Sequence, residues 1–190
     1  MSQSPTPGAA FPRSGASASL PVQTAADHKR MAWVFWAMAS LVLWLGGGLL
    51  TGIGLGPWYD ELTFPSLQPP GWVFTPMWML ILSLLAVATV RITTGDRSNA
   101  GSRTVAVGLY GFQFGLNLGW SVLFFAVQRP DAAMAEILIL DVVVAAMVVA
   151  YAKIDRVAGL MLVPYLVWLL FATAINIAIV QLNGPFGINF

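Results

Sequence analysis

Five long apolar stretches constrain this chain more than any other feature. They run roughly over 31–53, 76–93, 104–127, 132–152 and 157–182. Each is near the ~20 residues a helix needs to cross a bilayer. A chain in hydrocarbon must satisfy its backbone internally, so the stretches are expected to be transmembrane helices in an all-α, five-helix bundle. Composition agrees. Hydrophobic residues make up 58% and charged residues 9% of the 190, against roughly 25% charged in soluble proteins. So little charge cannot solvate a globular surface of this size.

Residues 1–29 differ in kind. They are rich in Ser, Pro, Ala, Gly and Thr, lack an apolar period and read as a disordered tail before a 30–190 membrane domain. The tail has no apolar run of the kind a signal peptide needs, so the first helix is expected to be retained. Loop charges alternate. Arg13, Lys29 and Arg30 precede helix 1, Arg91, Arg97 and Arg103 join helices 2 and 3, and Lys153 and Arg156 join helices 4 and 5. The other side carries Arg129, with Asp60 and Glu61 in its first loop. The positive-inside rule then places the N-terminus in the cytoplasm and the C-terminus outside, consistent with an odd number of spans. A net charge of +1 without a basic stripe gives no nucleic-acid partner. The chain has no cysteine, and its lone histidine, His28, lies in a polar run, so no metal site is expected.

The loop over 54–75 carries four prolines and several aromatics. Proline restricts itself and its neighbour, so the loop is stiff and reads as a lid; an interfacial aromatic belt is the alternative. In helix 3, Gly111, Gly115 and Gly119 share one face, a spacing that suits close helix packing, including packing between subunits. Gln113, Asn117, Trp120 and Phe124 fall opposite. In helix 5, Tyr165, Trp168, Ala172 and Asn176 share a face, and Pro164 is expected to kink the helix. Amides and aromatics facing one another could line a small-molecule pocket or hold helices together; the pattern leaves both open. Helix 1 repeats the small-residue spacing at Gly48, Gly52 and Gly56. Helix 4 carries two acids. Glu136 stands near enough to Asp131 to reach the interface, and Asp141 is expected to hydrogen-bond a neighbouring helix or serve a proton relay.

These motifs together resemble the TspO/MBR family, which includes the tryptophan-rich sensory proteins and the mitochondrial translocator protein, the peripheral-type benzodiazepine receptor. The matching residues are Trp58-Tyr59, Leu62, Pro65, Pro69-Pro70, Trp72, Phe74, Pro76 and Trp78 in the loop region. Helix 3 contributes Gln113, Asn117, Trp120 and Phe124-Phe125, and helix 5 contributes Pro164-Tyr165-Leu166, Trp168, Ala172 and Asn176. The resemblance implies a bundle that forms homodimers in a bacterial inner membrane. It implies a lidded pocket for porphyrins, protoporphyrin IX or haem-like tetrapyrroles, with no covalently bound cofactor, and room for sterol- or benzodiazepine-like molecules. The carried-over pocket residues are Trp58, Tyr59, Trp72, Gln113, Asn117, Trp120, Tyr165, Trp168, Ala172 and Asn176. The expected role is sensor, carrier or regulator. A porphyrin-degrading photo-oxidative enzyme and a proton-coupled transporter are the alternatives; no nucleophile, base pair or metal set supports catalysis.

The chain departs from the family pattern twice. Phe64 stands where the family has Lys before the loop proline, and Leu67 where it often has Trp. A Lys contact to a ligand propionate is therefore missing. The family's sterol motif after helix 5 is absent, and a similar run at Val149–Lys153 lies elsewhere in the chain.

Overall fold

The computed structural model describes residues 21–95 and 100–184. Arg13, Arg97 and the first 20 residues of the expected tail lie outside them. Among the described residues the chain is helical without strands. The long helices are α1 (Pro21–Gly54), α3 (Phe74–Thr94), α4 (Ala100–Ser121), α5 (Pro130–Ile154) and α7 (Val163–Asn183). Two short helices complete the set, α2 (Pro57–Asp60) and α6 (Arg156–Met161). Among the described residues four segments are long and apolar enough to cross a membrane: Ala26–Gly54, Gly71–Thr94, Pro130–Ile154 and Arg156–Asn183. α4 is not among these four, because glycines and amides dilute its hydropathy. A count of five spans therefore does not follow from helix length and composition.

The helix bounds correct the sequence expectation at α1 and α4, and they place a break beside Pro164, where a kink is expected. α1 begins at Pro21, so part of the expected 1–29 tail is helical. Pro21 suits a first helical position, and nothing from Val22 to Arg30 breaks a helix. The last helix is interrupted at Leu162, between α6 and α7, with Pro164 at the start of α7. α4 continues into a π-helical turn, Val122–Ala126, in which Val127 N–H donates to the Val122 carbonyl at 2.8 Å. That turn ends in a Schellman-like closure: Arg129 N–H reaches back to Leu123 O at 2.9 Å, with Gln128 at a left-handed φ of 56°.

Neighbour packing closes the long helices into a ring in the order α1, α4, α5, α6–α7, α3 and back to α1. One half of the interior is filled around Leu43, Leu85, Ile92, Met147 and Leu162. The other half holds two aromatic clusters. Outward faces stay apolar: Leu49, Ile53, Val142, Leu160 and Val167 are exposed. A water-facing helix would place polar residues there, so these faces suit lipid.

Glycines behave unlike their spacing. A Cβ on Gly48, Gly52, Gly111 or Gly115 would meet nothing within 4 Å. The close approach occurs at Gly54, where a Cβ would lie 2.5 Å from Phe125 Cβ, and at Gly159, 2.5 Å from Ala152 Cβ. Among the described residues, then, the Gly111–Gly115 face packs against no helix. Gly119 differs, with a Cβ there 3.3 Å from Glu136 Oε1.

Candidate ligand site

Helix geometry places the α4 residues as their period requires. Gln113 and Asn117 are buried while Gly111 and Gly115 are exposed. Across the ring, Tyr165, Trp168 and Asn176 of α7 are buried and Ala172 is half-buried. The two faces meet through specific hydrogen bonds. Asn117 Nδ2 donates to the Tyr165 hydroxyl at 3.0 Å, which donates to Gln113 Oε1 at 2.9 Å. Trp120 Nε1 donates to Asn176 Oδ1 at 3.0 Å, and Asn176 Nδ2 donates to the Pro130 carbonyl at 2.9 Å. The amides therefore do bond helices together, and α4, α5 and α7 are held in register by side chains that otherwise have no polar partner at this depth.

Aromatic rings surround this network in two groups. Trp120 stacks on Phe124 with centroids 5.0 Å apart, and Trp58 meets Phe124 edge-on at 6.1 Å. Tyr59 packs on Phe64 at 4.9 Å and faces Phe125 at 6.0 Å. In the second group Trp168 touches Phe74 and Phe171, each at 5.6 Å, and Trp78 touches Tyr165 at 6.2 Å. Phe171 packs against both groups and joins them. The π turn matters here, because its wider coil buries Phe124 and Phe125 together.

The loop folds over the first group as an ordered cap. Pro57 starts α2, which aims Trp58 and Tyr59 inward, and Leu62 is buried beneath it. Burial, with the neighbouring Asp60 charge second, pushes the Tyr59 hydroxyl upward, so it remains a neutral donor. The loop is tied down by Asn183 at the end of α7. Thr63 N–H donates to Asn183 Oδ1 at 2.6 Å, and Asn183 Nδ2 donates back to the Thr63 carbonyl at 2.8 Å. Sequence reasoning misses this two-way clamp; a lone Asn near a helix end gives no sign of a partner 120 residues away.

Eight of the ten expected residues belong to this network or its aromatic groups; Ala172 is half-buried and in neither, and Trp72 stands apart. Trp72 is 75% exposed. It sits on a 3₁₀ turn, Gly71–Val73, after Pro69-Pro70, and the inward positions beside Trp168 go to Val73 and Phe74 instead. Phe64 packs on Tyr59 and adds an apolar ring to the cap. Phe171 joins the site although no motif marked it. Glu136 does not reach the interface as expected: both carboxylate oxygens are buried without a hydrogen-bond partner. Asp141 accepts from Thr173 Oγ1 at 2.8 Å, the bond to a neighbouring helix that its depth requires. Tyr151, within the Val149–Lys153 run, is fully buried and so offers no surface to a sterol.

An apolar ring of helices with an aromatic, amide-bearing interior under an ordered cap defines a multi-pass helical membrane protein. The chain belongs to the TspO/MBR family, whose model matches residues 21–182. It is 38% identical to the tryptophan-rich protein TspO of Chlorobaculum tepidum, an alignment covering 66% of this chain and 79% of that protein. The tryptophan-rich sensory protein of Cereibacter sphaeroides is 34% identical, with 73% and 85% covered. The human translocator protein is 32% identical, with 72% and 80% covered. The names of the second and third relatives describe a sensory protein and a translocator.

Proposed function

We propose that this protein binds a porphyrin, protoporphyrin IX or a haem-like tetrapyrrole, and acts as a sensor, carrier or regulator of it. The observation that carries this reading is the meeting of two aromatic groups at Phe171 beneath a cap clamped by Asn183. Flat aromatic faces suit a flat conjugated ring, and a few oriented amides suit its polar edge. With Phe64 replacing a cation, the cap recognises the ring by apolar contact. Sterol- and benzodiazepine-like molecules fit the same interior chemistry.

In this reading α4 crosses the membrane as a fifth span. With its π turn it covers residues 100–126, on the order of 40 Å at 1.5 Å per residue. The open Gly111–Gly115 face then faces lipid, where small residues favour a second helix, and we assign it to a homodimer. The N-terminus lies in the cytoplasm and the C-terminus outside, in a bacterial inner membrane.

Titration of the purified protein with protoporphyrin IX tests the ligand. Saturable quenching of tryptophan fluorescence, weakened in Trp168→Ala, is the expected result. Absence of saturable quenching, or an unchanged affinity in that variant, rejects the assignment.

A further inference from the structure

Charge is divided unevenly between the two ends of the bundle, and the cap stands at the acidic end. Lys29, Arg30, Arg91, Arg103, Lys153 and Arg156 lie in the N-terminal part of α1, around the α3–α4 connection and at the α5–α6 junction, all away from the cap. The cap itself carries Asp60 and Glu61, both exposed. Among the described residues the cap end has one cation, Arg129. Its guanidinium is taken by Asp131, with Nε donating to Oδ1 at 2.8 Å and Nη2 to Oδ2 at 2.6 Å. Asp60 is close to the site. It follows Tyr59, whose ring lies against Phe64 and Phe125. After burial, its charge is the second cause that pushes the Tyr59 hydroxyl upward, so the field of Asp60 reaches into the cap.

The interior beneath the cap is equally poor in groups that hold an anion. Asn117 donates to Tyr165, Trp120 to Asn176, Asn176 to the Pro130 carbonyl and Tyr165 to Gln113. Gln113 Nε2 is the one donor group of this network without a partner, and it is neutral. Glu136 and Asp141, the acids of α5 between its ends, supply no positive charge. The rings that complete the site bring only apolar faces.

A carboxylate leaves water at great cost unless a cation or several donors receive it. Protoporphyrin IX carries propionates, and here they would meet a cap of like charge above an interior of spent donors. An ester carries no charge to repel. It keeps a carbonyl acceptor for a neutral donor and adds an alkyl group that rings such as Phe64 cover. Resting on the tetrapyrrole reading above, we infer that the site selects tetrapyrroles whose carboxyl groups are esterified, and that Asp60 and Glu61 enforce the selection. The two acids act as specificity determinants through their field; neither is a ring contact. Because both are exposed, salt weakens their effect.

The test titrates full-length protein in an uncharged detergent with protoporphyrin IX and with its dimethyl ester, read by tryptophan quenching. The ester should bind about tenfold more tightly, the order expected of like charges near a protein surface. That preference should shrink in Asp60→Asn/Glu61→Gln. Wild type and variant are compared in the same detergent, so any preference of the detergent for the ester cancels. A free acid that binds wild type as tightly as the ester overturns the selection and leaves the tetrapyrrole reading standing. An ester preference unchanged in the variant overturns the assignment to Asp60 and Glu61. Should the variant fail to fold, raised salt on wild type supplies the same comparison, and a preference that does not narrow overturns the inference. Binding of neither porphyrin rejects the tetrapyrrole reading itself, and the selection falls with it.

Discussion

Replacing Tyr165 with phenylalanine removes one oxygen and leaves two buried amides, Gln113 and Asn117, each short of a partner. Unmet buried partners cost about 1–3 kcal/mol. The Tyr165→Phe variant should therefore unfold at lower temperature in detergent, and an unchanged melting temperature would show the network to be energetically idle. The faces of α4 and α7 are readable from the sequence because a helix turns about 100° per residue. The partners are not. Periodicity shows that Asn117 and Asn176 point inward, yet nothing in the residue order says that one meets a tyrosine and the other an indole. Trp72 exposes the same limit, since a 3₁₀ turn after two prolines decides its direction.

Helix ends add a second layer. Asp155 caps α6, accepting Val157 N–H at 2.8 Å through Oδ1, while Oδ2 accepts Arg91 Nη2 at 2.7 Å. Burial works to raise its pKa, but the Arg91 hydrogen bond, the two capping N–H groups and the Arg91 charge outweigh that and hold the carboxyl below its ordinary value. A depressed folded-state pKa stabilises above the unfolded value of about 3.9 and ceases to do so as pH falls through the lower folded value. Asp155→Asn keeps a capping oxygen but loses the charge, so its stability should vary less with acid pH than wild type; Asp155→Ala should lose about 1 kcal/mol at neutral pH. Circular dichroism melts across an acid series check both. Glycines offer a contrast that spacing conceals. Gly54→Ala forces a Cβ into Phe125 and should lower stability, whereas Gly48→Ala, with nothing near its added Cβ, should be neutral or mildly stabilising through helix propensity. Equal thermal stability of the two variants would contradict this packing. The four-residue spacing of Gly48 and Gly52 suggests contact, but which glycine a neighbour touches depends on the π turn placed opposite.

At the scale of the molecule, hydropathy makes the helical membrane class legible, because apolar length is a property of composition. The ring order is not legible, since it depends on pairs of faces distant in sequence. Nor is the status of α4, whose inward amides and outward glycines lower its hydropathy below that of its neighbours. The chain lacks cysteine, which permits a direct count of crossings. With α4 spanning, Ser66→Cys in the cap and Lys153→Cys in the last turn of α5 should label from opposite sides of sealed vesicles with an impermeant maleimide. Labelling from the same side would remove α4 from the membrane.

The π turn at Val122–Ala126 has one more consequence, for the insertions and deletions the chain can tolerate. It acts as a phase adapter between two rigid rods, taking up a residue that an α-helix would have no room for. Deleting a single residue there would rotate the chain beyond it by about 100° relative to α4. Phe125 would leave the Gly54 contact, and the Pro130 carbonyl would swing away from Asn176. The interval between Asn117 and Pro130 is thus a fixed ruler, in which the number of residues is constrained as tightly as their kind.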